Sequence, residues 1–297
     1  MTDTARVETL GLPIHTAVCF STAKNTFSKR AMKRQLKWLK PLVPLLRQFL
    51  EPEEGILLAI RGCSPLATLE MLGTGWVIYY VKRCVLVVTN KRILHIPTRI
   101  NFLPKKSVAQ VCYGDVARAK FPGFLGRVLT LKYKSGKEER FYQLPSKEFK
   151  KLKSVLGVFP KEAPVSEARQ RHHLCPKCMS PLPKDTYVCP SCRLEFKSRR
   201  QAIRRSLLLP GGGYFYTGHP VLGIIYALIE TGLMVGSLVS LVAILAGQAE
   251  PGEWVRVIFL AILLAAEKLL SIHHAKKFVQ EYIPADQDFV PIKSYAR

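Results

Sequence analysis

Two long apolar runs in the last third of the chain constrain its fold more than any other feature of the sequence. They cover residues 221–246 and 254–272 and are separated by a short polar turn. As helices rising about 1.5 Å per residue they reach roughly 39 and 28 Å, enough to cross a hydrocarbon core of about 30 Å. The first run carries one charge, Glu230, where a globular helix would show a polar stripe. The runs predict two transmembrane helices, with two buried helices of a soluble bundle as the alternative.

Charges around these runs predict how they are oriented. Six Lys and Arg residues lie between positions 193 and 205, and Lys276 and Lys277 follow the second run. The turn between the runs holds Glu250 and Glu253 and no Lys or Arg. Because basic flanks stay in the cytoplasm, we expect an integral membrane protein with two spans and both termini cytoplasmic.

One charge in each run stands at about the same distance from the turn. Glu230 precedes it by about as many residues as Lys268 follows it, so in an antiparallel hairpin they lie level. An unpaired charge deep in hydrocarbon costs about 3 kcal/mol, which favours an intramembrane pair between Glu230 and Lys268. A protonated Glu230, or a Lys268 side chain that extends to the interface, remains the alternative.

The chain of 297 residues has a formal charge of +24, which favours anionic partners. Nucleic acid and the anionic inner leaflet of a membrane both qualify, and an attached hairpin makes membrane lipids the nearer partner. The first 20 residues lack the continuous apolar core of a signal peptide. The orientation predicted from the charges around the two runs makes nearly everything before residue 206 cytosolic, so we expect its cysteines to be either reduced or bound to metal.

Two CxxC pairs give the sharpest chemical signal. Cys175 and Cys178 form the first, Cys189 and Cys192 the second, and ten residues separate them. This spacing is typical of zinc sites, and four thiolates close the coordination sphere, so the predicted Zn²⁺ is structural. The Cys-Pro-x-Cys pairs resemble zinc-ribbon and rubredoxin-type knuckles over residues 174–197. Iron fits the same ligands, and two disulfides are the alternative that a reducing compartment disfavours.

The first 54 residues contain a loose leader and one basic amphipathic helix. From residue 27 on, apolar side chains recur every three or four positions, with Lys and Arg between them. Such a helix can lie in the interface of an anionic membrane, or it can pack on the following domain with a solvated basic face. Pro41 and Pro44 argue against one straight helix.

Residues 55–158 read as short strands separated by turns. The predicted strands cover 56–60, 76–88, 93–96, 108–113, 127–133 and 139–144. A helix capped by Ser146 follows, so we expect a small antiparallel β-barrel or sandwich closed by a C-terminal helix.

This order resembles the bacterial pleckstrin-homology-like domains. The resemblance rests on the stretch Leu-Val-Val-Thr-Asn-Lys-Arg-Ile at 86–93, on Tyr-Gly-Asp-Val at 113–116 and on the terminal helix. It implies binding of lipid headgroups or proteins. Basic residues near the first hairpin of such domains commonly hold phosphates, and the counterparts in this chain are Lys82, Arg83, Lys91 and Arg92.

A linker over 159–173 leads to the zinc ribbon, and a tail over 281–297 follows the hairpin domain at 206–280. The hairpin opens with Pro-Gly-Gly-Gly-Tyr-Phe-Tyr-Thr-Gly at 210–218, which resembles the turn that begins the two-transmembrane-helix domain family. Three consecutive glycines disfavour a helix there, and the aromatic residues suit the headgroup region.

These features together predict a fold of several domains and a function without catalysis. We expect a membrane-anchored interaction or sensing module with a cytosolic lipid- or protein-binding domain and a structural zinc ribbon. The sequence has no HExxH and no Gly-x-Ser-x-Gly motif. The alternative is a membrane-tethered nucleic-acid-binding protein that uses the ribbon and the arginines at 193–205 for phosphate contacts.

Overall fold

The computed structural model describes residues 6–71, 74–122, 127–157, 165–248, 250–286 and 288–289. The chain divides into two units. The sheet unit comprises Met1–Ala67, Trp76–Glu195 and Pro284–Arg297, and the helical unit comprises Thr68–Gly75 and Phe196–Ile283.

The sheet unit is built from eleven strands and five α-helices in the described residues. In chain order these are β1 (Arg6–Thr9), β2 (Leu12–His15), α1 (Thr16–Cys19), α2 (Lys29–Leu39), α3 (Val43–Phe49), β3 (Ile56–Cys63), α4 (Ile78–Val81), β4 (Arg83–Thr89), β5 (Arg92–Pro97), β6 (Val108–Cys112), β7 (Val116–Lys120), β8 (Leu129–Tyr133), β9 (Glu138–Phe141), α5 (Ser146–Gly157), β10 (His172–Leu174) and β11 (Pro181–Leu182). Eight strands form one sheet in the order β1-β2-β3-β4-β5-β6-β10-β11, and β7-β8-β9 form a second.

The large sheet is covered on both faces, which explains why its central strands are apolar throughout. Val85 and Val87 of β4 pack in a core with side chains of α2 and α3. Leu86 and Val88 point the other way and pack with β8, β9 and α5. Successive side chains of a strand point to opposite faces of the sheet, and both faces are covered. Every residue of β5 is therefore buried, and the sequence of this strand does not alternate between apolar and polar residues as that of a half-exposed strand does.

The expected antiparallel barrel within 55–158 was correct only in part, because the large sheet is mixed and recruits strands from outside that range. β2 pairs with β3 in parallel. At the other side β10, whose first two residues lie in the segment expected to be a linker, pairs antiparallel with β6. An unpaired edge exposes a row of backbone donors and acceptors, and β10 satisfies those of β6.

The strand expected at 76–88 forms only in its second half. Its first half contains a 3-10 turn and α4 instead. The rings of Trp76 and Tyr80, four positions apart, meet edge to face at 5.5 Å, a contact that helical spacing provides and a strand does not.

The basic segment after residue 27 forms two helices that pack on the sheet. Ser28 caps α2 by accepting a hydrogen bond from the Ala31 amide at 3.3 Å. A 3-10 turn over Lys40–Leu42 then separates α2 from α3, in the region of the two prolines. Since Leu39 and Leu46 are fully buried in the sheet core, the structure matches the packed alternative.

The helical unit contains α6 (Arg199–Leu208), α7 (Gly212–Thr217), α8 (Pro220–Leu245) and α9 (Glu253–Val279). The glycine-rich segment was expected to avoid a helix, yet Gly212 and Gly213 lie in α7. A Cβ on Gly213 would stand 1.9 Å from the Ser206 hydroxyl, so the glycine permits close packing of α7 on α6. Gly211 adopts a φ of 62°, a backbone conformation that favours glycine.

Among the described residues, α8 is the one helix long and apolar enough to cross a membrane by length and composition. α9 packs against it, and its C-terminal third also packs on α6 and α7. The second span at 254–272 stays a prediction.

Candidate metal centre

The two CxxC pairs lie in two short hairpins beside the edge of the large sheet. The first pair follows β10 and is closed by β11, which pairs antiparallel with β10. The second lies between Val188 and Glu195, which form an isolated antiparallel bridge. Two hairpins that each carry a CxxC pair fit the zinc-ribbon arrangement expected from the sequence.

The four sulfur atoms lie within 4.8 Å of one another. Cys175 Sγ is 3.5 Å from Cys192 Sγ, and Cys178 Sγ is 3.6 Å from Cys189 Sγ. A tetrahedron with Zn–S bonds of about 2.3 Å places its sulfurs about 3.8 Å apart. The cysteines therefore form a cluster whose size and donor atoms fit a tetrahedral metal ion, with zinc the usual choice for four thiolates in a short ribbon.

Both pairs end in the same kind of turn, which explains how the sequence builds matching halves of the site. The residue directly after each pair is left-handed, with a φ of 62° at Met179 and 56° at Arg193. The Met179 amide donates to the Cys175 carbonyl at 2.8 Å, and the Arg193 amide donates to the Cys189 carbonyl at 3.0 Å. Each turn reverses the chain so that two sulfurs face the same point.

The first hairpin is anchored in the sheet unit on both sides. Leu174 is buried in the core beneath α2 and α3, and Met179 packs against that core. The Gln48 side chain of α3 donates a hydrogen bond to the Pro176 carbonyl. The cluster is thus attached to the sheet, and we expect loss of metal to disturb β10 and the adjacent β6.

The remaining cysteines lie outside the cluster. Burial raises the pKa of the Cys19 thiol to about 12 and that of Cys112 to about 11. Both remain protonated at neutral pH, as expected for packing thiols. His172 and His173, which were expected to be solvated, lie in β10, where His172 Nε2 is 2.8 Å from the Gln110 side chain.

A second polar cluster was missed in the sequence because its members are far apart along the chain. Arg171 bonds both oxygens of Glu139, at 2.7 and 3.0 Å, and Tyr133 donates to the same carboxylate at 2.9 Å. Burial alone would raise the pKa of the Glu139 carboxyl, but Arg171 and Lys137 outweigh it and hold that pKa well below its usual range.

His95 lies in the same cluster and is 2 % exposed. Its Nδ1 is 3.3 Å from the Arg171 guanidinium, which can only donate, and its Nε2 is 2.9 Å from the Ser64 hydroxyl. Burial, and after it the charge of Arg171, holds the pKa of His95 well below its usual value. Arg171 therefore fixes His95 as a neutral ring with the proton on Nε2.

Two of the four expected headgroup residues face inward. Arg92 is buried and bonds the Glu54 carboxylate at 3.0 and 2.9 Å, and it also donates to the Phe49 carbonyl at 2.7 Å. Lys82 is buried and donates to the Pro65 carbonyl at 3.1 Å. A phosphate at these positions would have to replace bonds that hold the sheet unit together.

The other two are nearer the surface and also engaged. Arg83 donates to the Ile100 carbonyl at 3.0 Å and lies over the Tyr80 ring at 4.6 Å. Lys91 donates to the Pro52 carbonyl at 2.8 Å. Headgroup binding by these four residues stays a prediction.

In the helical unit, Lys268 Nζ donates to the Glu230 carboxylate and, at 2.9 Å, to the Ser206 carbonyl of α6. Glu230 is fully buried. The two residues placed level by their distances from the turn are thus bonded across α8 and α9, and α6 supplies a further acceptor. The position of this pair inside a membrane stays a prediction.

No family model, curated protein or solved structure matches this chain.

Proposed function

We propose that the protein is a non-enzymatic membrane-anchored module. In this proposal α8 and α9 form a two-span hairpin, and the sheet unit is a cytosolic lipid- or protein-binding domain of the pleckstrin-homology-like kind. The four-cysteine cluster holds a structural zinc ion. Its ligands leave no coordination position for water, so the metal supplies folding energy and no catalysis.

The observation that carries this proposal is the exposed apolar surface of the two long helices. Leu228 and Leu238 of α8 are 70 % and 60 % exposed, and Val255 of α9 is 70 % exposed. Burying one such side chain stabilises a folded protein by about 1.5–3 kcal/mol, and a side chain left in water does not contribute this free energy. The apolar side chains are exposed along much of α8: in its most apolar stretch of 18 residues, only 11 % of the residues are buried. An apolar surface of this length is accounted for if the hydrocarbon core of a membrane surrounds it.

Charge supports the orientation of the hairpin. Arg199, Arg200 and Arg204 are exposed on α6, and Lys276 and Lys277 lie in the last turn of α9. The connection between α8 and α9 contains no Lys or Arg. Since basic segments remain on the cytoplasmic side, α6 and the end of α9 are placed in the cytosol.

Cysteine labelling in intact cells tests the two-span arrangement. A cysteine introduced by Gln248→Cys lies in the connection and should react with an impermeant thiol reagent added outside. The control Ser198→Cys lies at the start of α6 and should react only after the cells are opened. Labelling of the control alone in intact cells would reverse the orientation, and labelling of neither, with the protein in the soluble fraction, would refute the membrane anchor.

A further inference from the structure

The sheet unit contains a basic cavity that the proposed function does not use. It has a volume of about 500 Å³ and lies among the loop after α1, the start of α2 and the start of α5. Cavities of roughly 300–1,000 Å³ are the usual size for small-molecule ligands. Six cationic side chains and one carboxylate line it: Lys24, Arg30, Arg34, Lys147, Lys150, Lys151 and Glu148.

Two contacts fix the walls of this cavity. Arg34 Nε on α2 bonds Glu148 Oε1 on α5 at 2.6 Å, and Glu148 is buried. Lys151, also buried, donates to the Cys19 and Ser21 carbonyls at 3.1 and 2.7 Å. These bonds join α5 to α2, to the end of α1 and to the segment after it, so the cavity is formed before any ligand arrives.

The single carboxylate is already neutralised, and four cations at the rim are not. Within the described part of the chain, no acidic side chain forms an ion pair with Lys24, Arg30, Lys147 or Lys150, and all four are exposed. Like charges gathered around one concave surface repel one another, and a low-dielectric wall strengthens their common field. An anion inside the cavity removes that repulsion.

The start of α2, which borders the cavity, also has more positive charge than is usual at the N-terminus of a helix. Its first turn contains Lys29 and Arg30 and no acidic residue. Cations are unfavourable near the positive end of a helix, whereas phosphate is favoured there. Arg30 also carries a planar guanidinium, whose paired donors match two phosphate oxygens.

We propose that this cavity binds a phosphate-bearing anion, either a phosphomonoester or a pyrophosphate group. Arg30, Lys147 and Lys150 contact the phosphate oxygens, and the Thr22 and Thr26 hydroxyls, which are 2.7 Å apart, border the same space. Multiple positive charges favour a multiply charged group over a single carboxylate. The proposal concerns the sheet unit alone and does not rest on the membrane anchor.

Calorimetric titration of the full chain with inorganic pyrophosphate tests the site, in detergent or, if the protein is soluble without it, in buffer. The double variant Arg30→Gln/Lys147→Gln removes one rim cation from each helix. Its matched control, Lys37→Gln/Lys153→Gln, removes one exposed cation from each of the same helices outside the cavity. We expect the Kd to rise about tenfold or more in the first variant and less than about threefold in the control.

Two results would overturn the proposal: no saturable binding by the unaltered chain, or equal weakening in both variants, which would indicate diffuse surface charge. The thermal unfolding curve of each variant verifies that it is folded. Titration in nanodiscs of phosphatidylcholine, with or without phosphatidic acid, then separates a soluble ligand from a lipid-borne one. Weaker pyrophosphate binding with phosphatidic acid supports a headgroup, and unchanged binding supports a soluble phosphate.

Discussion

The central strands of the large sheet and helix α8 are both strongly apolar, yet the chain treats them differently. β4 and β5 are buried on one face by α2 and α3 and on the other by β8, β9 and α5. Along α8 many large apolar side chains remain exposed, among them Leu238 at 60 % and Leu245 at 79 %. Apolar composition thus indicates that a segment needs cover, and only the packing shows whether the chain supplies it.

The two units also differ in how completely the chain itself supplies partners for a buried carboxylate. In the sheet unit, Glu139 is surrounded by Arg171, Lys137 and the Tyr133 hydroxyl. In the helical unit, Glu230 meets Lys268 through one oxygen, and its other oxygen has no hydrogen-bond partner among the described residues. We therefore expect the sheet unit to respond to changes in its own contacts, and the long helices to respond to their surroundings as well.

The largest expected effect is removal of the metal from the sheet unit. Cys178→Ser leaves three sulfurs, and structural zinc contributes about 10–16 kcal/mol of binding energy in zinc-finger peptides. We expect loss of bound zinc and faster amide hydrogen exchange in β10 and β11. The helix α8 should stay folded, with its amide hydrogen exchange unchanged. Metal analysis and hydrogen-exchange mass spectrometry measure the two effects.

Cys112→Ser is the matched control, because Cys112 is a half-buried thiol of the same unit outside the cluster. It should retain the metal. Protein purified without chelator that contains neither zinc nor iron would contradict the site itself.

The metal site shows what a sequence predicts well. Two CxxC pairs form their turns from adjacent residues, so spacing alone is enough to place four sulfurs together. The attachment of this hairpin to the large sheet was not predictable in the same way, because the pairing of His172–Leu174 with β6 depends on an edge more than 60 positions earlier. For that reason the sequence did not predict the strand that forms at His172 and His173.

The next effect concerns the charged pair of the helical unit. Glu230→Gln leaves the Lys268 ammonium without its carboxylate, and breaking a buried pair costs about 3–5 kcal/mol. We expect a lower unfolding temperature in detergent. The double variant Glu230→Gln/Lys268→Met removes both charges and should regain part of the loss, whereas additive losses would show that the two residues do not interact.

A smaller effect tests directly what covers α8. Val235 lies near the middle of this helix and is 54 % exposed, and Leu245 is its last residue. If lipid surrounds the helix, Val235→Arg should disfavour insertion by about 3 kcal/mol, and Leu245→Arg by much less, because a long side chain near the end reaches the interface. The membrane-inserted fraction of each variant measures the difference. Equal tolerance of both substitutions would indicate that α8 lies in water.

The charge of a basic residue and its position in the sequence do not show what its side chain contacts. Lys82 and Arg92 are basic residues near a hairpin, as the resemblance required, but burial and internal partners decide what they can contact. Glu54, which Arg92 bonds, is 38 positions away. The cavity cations of α2 and α5 are separated by more than 100 residues, so no local motif could have brought them together.

The smallest expected effect is a pH dependence in the closed polar cluster of the sheet unit. Because burial and Arg171 hold the pKa of His95 well below its usual value, the folded protein keeps this ring neutral where the unfolded chain protonates it, below about pH 6.5. The unfolded state then binds more protons, so the free energy of unfolding falls as pH falls, by at most about 1.4 kcal/mol per pH unit for one histidine.

His95→Asn should lower this slope between pH 6 and 5, measured by chemical unfolding at each pH. Ser64→Ala is the control, since it removes the hydrogen bond at Nε2 but keeps the titrating ring, and should lower stability with the slope retained. An unchanged slope in His95→Asn would mean that the folded protein already carries a charged ring at this position, against the contact that Arg171 makes with Nδ1.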